Sequence, residues 1–254
     1  VFCVKADYAE STSTHNTQNA NLVETLYNEK TPAQIRDPRC RTTIYGYPIV
    51  IFHQQTETDT PVFIGKYNFN FDKGSEEAFG FNEGVDVESW EFKNNTSDQC
   101  NFLAPIGEKW DEDFEARYPD KNTNISRFKV MHDWVVSTKG DVAKFKAEFE
   151  NYFDLHFALI YYVYTSVMLM VDQRAKNMFL TYWGETGKWQ PWFYDNDTCI
   201  GINNEGLLVF DYYHEDIDTV EDANVYNGQN STLWVNFREA FAEEIQETYQ
   251  SLRN

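Results

Sequence analysis

The run FALIYYVYTSVMLMV, residues 157–171, limits the folds open to this chain more than any other feature, because fifteen consecutive residues carry no charge. A helix that is apolar on every side must be enclosed, either by lipid or by protein. A membrane span needs about 20 apolar residues with basic anchors at its ends. This run is shorter and is flanked by His156 and Asp172, so it predicts a buried central helix rather than a membrane segment. An enclosed helix needs a shell of other elements around it, and 254 residues suffice for one large domain or a domain of two lobes.

Charge narrows the partners. With 41 acidic against 21 basic residues the net charge is -20, which opposes attraction to phosphate backbones and to anionic lipid surfaces; neither nucleic acid nor a membrane is expected as a partner. Aromatic residues make up 17% of the chain, which excludes a disordered chain despite the acidity. Cys3, Cys40, Cys100 and Cys199 form no C-x-x-C pair, so neither a zinc site nor a disulfide framework is expected. Glycosylation sequons begin at Asn94, Asn95, Asn124, Asn196 and Asn230. Asn196 falls within the candidate catalytic centre, where a glycan would not be tolerated, and this argues against a eukaryotic secretory origin. There is no initiator Met and no signal-peptide pattern, so the chain reads as an excerpt or a processed product.

Along the chain, residues 1–8 are extended and apolar and read as a buried strand. The N-cap candidates between Glu10 and Asn16 precede a helix over roughly 17–29. Residues 43–52 and 62–71 are β-rich and flank a polar turn, predicting a long hairpin. Residues 75–122 show no clear period and are expected to be mostly loop or short elements, with the boundary between lobes among them. Helical spacing resumes with Phe128, Met131, Trp134 and Val135 and continues over 142–153. After the apolar run, strands over 178–183 and 188–194 flank the turn Gly184-Glu185-Thr186-Gly187 and lead to Asp195. Ser231 or Thr232 is expected to cap one final amphipathic helix.

The residues that carry chemistry lie directly after the apolar run. Asp172-Gln173-Arg174-Ala175-Lys176-Asn177, then a tight hairpin, then Asp195 is the order in which protein kinases hold a phosphoryl group. One aspartate sits near the acceptor hydroxyl, while an asparagine and a second aspartate hold Mg²⁺. Each aspartate taken alone also has an ordinary structural reading: Asp172 as a helix cap, Asp195 and Asp197 as an Asx turn. A calcium loop at Asp195-Asn196-Asp197 fails, because Ile200 stands where glycine is needed and Gly206 where a bidentate glutamate is needed. The five histidines show no metal spacing, and no G-x-S-x-G elbow is present, so hydrolase readings lack support. His214-Glu215-Asp216-Ile217-Asp218 is an acidic cluster placed to meet a basic substrate or to remain a solvated charge run.

Taken together, these residues resemble the CotH spore-coat protein kinases, an atypical branch of the kinase fold. Four ordered motifs carry the resemblance: Lys5-Ala6-Asp7-Tyr8 followed by Ser11, Ser13 and Asn16; Gly65-Lys66-Tyr67-Asn68; residues 172–177; and Asp195-Asn196-Asp197 running to Gly201. The resemblance implies an α+β, two-lobed, protein-kinase-like fold. Its reduced β-rich N-lobe would span residues 1–84 and its mainly helical C-lobe residues 85–254. ATP and Mg²⁺ would be the cofactors, with Asp172 catalytic and Asn177, Asp195 and Asp197 on the metal. Lys5 would pair the phosphates, and Glu24, with Glu29 as the alternative, would pair Lys5. No glycine-rich loop precedes Lys5 within the chain.

The resemblance implies two alternative functions. One is transfer of the ATP γ-phosphate to Ser or Thr of a protein substrate, with adenylyl or glutamyl transfer as chemistry open to the same cleft. The other is a catalytically degenerate module of a bacterial spore coat or a phage tail or other virion protein, in contact with a neighbouring structural protein. Residues 67–74 and 89–92 resemble segments of phage minor structural proteins.

Overall fold

The computed structural model describes residues 2–7, 12–208 and 226–253. Tyr8, Ser11 and the acidic cluster from His214 to Asp218 lie outside the described residues. The fold is α+β with two antiparallel sheets, and among the described residues no helix is long and apolar enough to cross a membrane.

The first sheet has the order β1-β3-β2, built from β1 (Phe2–Lys5), β2 (Gly46–His53) and β3 (Val62–Phe71). Helix α1 (His15–Leu26) packs against it, and the short α2 (Pro32–Arg36) comes next. The pairing register sets Cys3 opposite Asn70 and Lys5 opposite Asn68, with Gly46 also opposite Asn70. Residues that alternate along a strand share a face, so one face of this sheet is polar, carrying Cys3, Lys5, Asn68 and Asn70. The other face carries Phe2, Val4, Tyr47, Phe69 and Phe71. This inverts the expectation for the first strand, since Phe2 is 58% and Val4 49% exposed. The apolar face looks outward, and the polar face turns in against α1 and the cleft.

The second sheet has the order β5-β4-β6-β7. Residues 75–122, expected to be mostly loop or short elements, contain the short α3 (Glu76–Phe79), β4 (Val87–Phe92), α4 (Trp110–Asp113) and β5 (Phe114–Tyr118). All six residues of β4 are buried. Two glutamates mask it in the sequence, and both have partners. Glu88 accepts from Trp90 Nε1 at 2.6 Å, and Glu91 is held by Arg117 Nε at 2.7 Å and Lys73 Nζ at 3.1 Å. A buried carboxylate is tolerated when it is paired and hydrogen-bonded.

The expected hairpin forms from β6 (Met178–Trp183) and β7 (Lys188–Phe193), and it lies beside β4. Helices α5 (Ser126–Ser137) and α7 (Leu155–Val167) pack on this sheet, and α6 (Val142–Glu148), with a 3-10 turn after it, lies between them in the chain. The apolar run is mostly α7: Tyr161 stacks on Phe193 with ring centres 4.3 Å apart and on Trp234 at 5.6 Å. The expected single last helix is two, α8 (Thr232–Ala240) and α9 (Ala242–Leu252), broken at Phe241, whose ring is buried against Phe149 and Phe237.

A candidate phosphoryl-transfer cleft

After α7 the chain runs through residues 168–177, held by three kinds of contact. Backbone bonds join it to the segment after β7: Val171 N–H to the Thr198 carbonyl at 3.0 Å and Gly201 N–H to the Leu169 carbonyl at 3.2 Å. Arg174, 3% exposed, lies between the rings of Tyr162 and Tyr226 at 4.5 and 4.4 Å and donates to Thr165 Oγ1 and Ser166 Oγ. The Gln173 amide donates to the Asp195 carbonyl at 2.8 Å, which fixes the 172–177 turn to the other half of the motif. Backbone bonds from Asn177 N–H to the Phe92 carbonyl and from Tyr194 N–H to the Asn177 carbonyl seat Asn177 beside β4 and the end of β7.

Asn177 and Asp195 both have positive φ, 55° and 51°. Asparagine and aspartate tolerate this region better than most side chains. Strained backbone of this kind gathers at sites where the surroundings fix a side chain's direction.

Lys5 and Asp195 form an ion pair across the cleft. Asn16, on the first turn of α1, reinforces it: its amide donates to Asp195 Oδ1 at 3.0 Å and its carbonyl accepts from Asn196 N–H at 3.1 Å. Burial alone would lower the Lys5 pKa, but Asp195, with Asp197 and Asp7, outweighs it and holds the ammonium above its ordinary value. Burial, reinforced by the charge of Asp195, pushes the Asp197 carboxyl up to about 7.

The sequence expectation for Glu24 fails geometrically. Its Oε1 accepts from the backbone and hydroxyl of both Thr42 and Thr43 at 2.5–3.1 Å, and Oε2 accepts from Gln34 Nε2 at 3.2 Å. Glu24 therefore anchors the 42–43 segment, and the ion-pair partner of Lys5 is Asp195. Glu29 forms no ion pair with Lys5 either.

Asp172 is 1% exposed. Its carboxylate accepts from the Asn227 amide and, at 3.5 Å, from Asn204 Nδ2, with Lys176 Nζ at 3.9 Å. The Asn227 and Asn204 roles were invisible in the sequence, since both residues are far from Asp172 along the chain and in no motif. Asn16 had a signal, its place after Lys5-Ala6-Asp7, but no assigned role.

A cavity of 290 Å³ opens beside the Lys5–Asp195 pair and is lined also by Asn16, Asn70, Lys73 and Tyr194. The donor set suits a hard cation in part. Asp7, Asp172, Asp195 and Asp197 all act on the charge of this region, against Lys5. Among the described residues no three His, Cys, Asp or Glu side chains form a metal-binding group. Mg²⁺ matches such a sparse set, because it is usually held by one or two carboxylates and otherwise by water and substrate phosphates. No family model matches the chain, and no curated protein matches it in sequence.

Proposed function

We propose that the chain is an atypical, CotH-like protein kinase that binds ATP with Mg²⁺ and transfers the γ-phosphate to a Ser or Thr hydroxyl of a protein. The observation that carries this reading is the tie between two sequence-distant halves: Gln173, next to Asp172, is bonded to the Asp195 backbone, while Asp195 pairs with Lys5 beside a cavity. In this reading Lys5 and Asn16 orient the nucleotide side of the cleft. Asn177, Asp195 and Asp197 would hold Mg²⁺, which neutralises charge on the phosphates. Asp172 accepts the hydroxyl proton as the hydroxyl oxygen bonds to the γ-phosphorus. The bond to the bridging oxygen then breaks and ADP leaves with its electron pair. Because Asp172 is enclosed, the acceptor hydroxyl has to replace the long Asn204 contact to reach it.

Calorimetric titration of ATP with Mg²⁺ tests the nucleotide half. Lys5→Met and Asp195→Ala should each weaken binding about tenfold or more; equal affinity in wild type and both variants removes the assignment. For transfer, Asp172→Asn should lower the rate by about 10²–10⁴ while ATP still binds. One observation favours the alternative, a catalytically degenerate structural module: at 290 Å³ the cavity sits at the lower limit of ligand sites, about 300–1,000 Å³. That reading predicts no nucleotide binding at all.

A further inference from the structure

The cavity beside the Lys5–Asp195 pair has a second cation that the cleft chemistry does not use. Among the described residues, the charged side chains lining it are Lys5, Asp72, Lys73 and Asp195. A fixed turn carries Lys73 off the end of β3: the Asp72 carboxylate accepts from Gly74 N–H at 2.8 Å, and the Asp72 carbonyl accepts from Ser75 N–H at 2.9 Å. The Lys73 ammonium lies 5.2 Å from the centre of the Tyr194 ring and donates to Glu91 Oε2 at 3.1 Å. Tyr194 directly precedes Asp195, so Lys73 is set against the residue next to the candidate metal ligand.

Glu91 does not depend on that ammonium alone. It is buried, and Arg117 Nε lies 2.7 Å from the same carboxylate oxygen. Taking away the only partner of a buried carboxylate strands a charge at high cost, but here Arg117 stays when Lys73 turns away. The Arg117 side chain is 10% exposed and that of Lys73 33%, so Lys73 is the partner open to the cavity. Its ammonium sits on a flexible four-carbon stem with three rotatable donors, which lets it change acceptors.

We infer that Lys73 is the second phosphate-binding cation of this cleft, turning from Glu91 onto the phosphate chain of the Mg²⁺-bound nucleotide while Lys5 holds that chain from the end of β1. The inference rests on the nucleotide reading of the cleft. Arg117 then balances Glu91. A second ammonium has a physical purpose here, because Asp72 and Asp195 line the same cavity of a chain with net charge -20 and oppose any anion that enters.

Calorimetry with Mg²⁺ on the whole chain tests the contact. Lys73→Gln should weaken ATP about tenfold and leave adenosine, which has no phosphate, within about twofold of wild type. A Lys73→Gln chain that binds ATP as wild type does overturns the role of Lys73 and leaves the nucleotide cleft standing. So does an equal loss for ATP and adenosine. Failure of wild type to bind ATP overturns the cleft reading itself, and this inference with it. A second measurement needs no variant: in amine-reactive labelling of wild type read by mass spectrometry, Mg²⁺-ATP should slow modification of Lys73 severalfold and leave the exposed Lys139, after α5, unchanged. A Lys73 labelling rate that ATP does not alter overturns the inference, whether or not Lys73→Gln folds.

Discussion

Glu24 separates a structural carboxylate from a catalytic one, and Glu24→Ala is the informative change. In the folded chain Glu24 satisfies the backbone N–H groups of Thr42 and Thr43 at 2.5 and 3.0 Å and both hydroxyls at 2.9 and 3.1 Å. Thr42 and Thr43 are each 1% exposed, so water does not readily replace the lost oxygen. An unsatisfied buried donor costs about 1–3 kcal/mol. Two such N–H groups set the loss at about 3–4 kcal/mol, with partial relaxation holding it below the sum of the maxima. For a chain of this size that is a fall in Tm of roughly 10 °C. Glu24→Gln keeps an acceptor in place and should lose about 1 kcal/mol. Urea unfolding monitored by tryptophan fluorescence measures the stability, and calorimetry below the transition measures Mg²⁺-ATP affinity. The expected pattern is a large stability loss with affinity within about twofold of wild type. A Glu24→Ala chain as stable as wild type but more than tenfold weaker for ATP would refute the reasoning and return Glu24 to the role of Lys5 partner.

Two further outcomes rest on other parts of the structure. The Asp197 carboxyl, at about 7 against an ordinary 3.8, keeps its proton in the folded chain where the unfolded chain has lost it, so stability falls as pH rises between about 4 and 7. Asp197→Asn has no such proton to lose, and its urea midpoint should pull ahead of wild type on going from pH 5 to pH 8; a gap that does not change with pH contradicts the assignment. Phe128, fully buried among Trp90, Phe92, Phe114 and Trp189 at ring separations of 5.0–5.8 Å, should lose about 3–5 kcal/mol as Phe128→Ala. A loss under 1 kcal/mol in urea unfolding would mean that this cluster is not the core.

The sequence by itself determined the elements whose pattern is local. An uncharged run too short for a bilayer had to become an enclosed helix, and α7 is that helix, because apolar surface on all sides leaves no other arrangement in water. The turn Gly184-Glu185-Thr186-Gly187 between two β-rich segments sufficed for the β6–β7 hairpin. The order of Asp172, Asn177 and Asp195 was legible for the same reason, since short-range spacing survives in the sequence.

The features that only the tertiary structure decided depend on partners distant along the chain. Val87–Phe92 looks unlike a buried strand until Arg117 and Lys73 are seen pairing with Glu91 and Trp90 donating to Glu88. The orientation of the first strand could not be read, because alternation shows that a strand has two faces and not which of them meets the core; only pairing with β3 and the approach of α1 turned Lys5 inward and Phe2 outward. The same holds at the cleft. The resemblance implied Glu24 as the partner of Lys5, but the choice between carboxylates is made by which one lies across the fold. There Asp195, held by Asn16 and by Gln173 at its carbonyl, is in reach, while Glu24 is already occupied by Thr42 and Thr43.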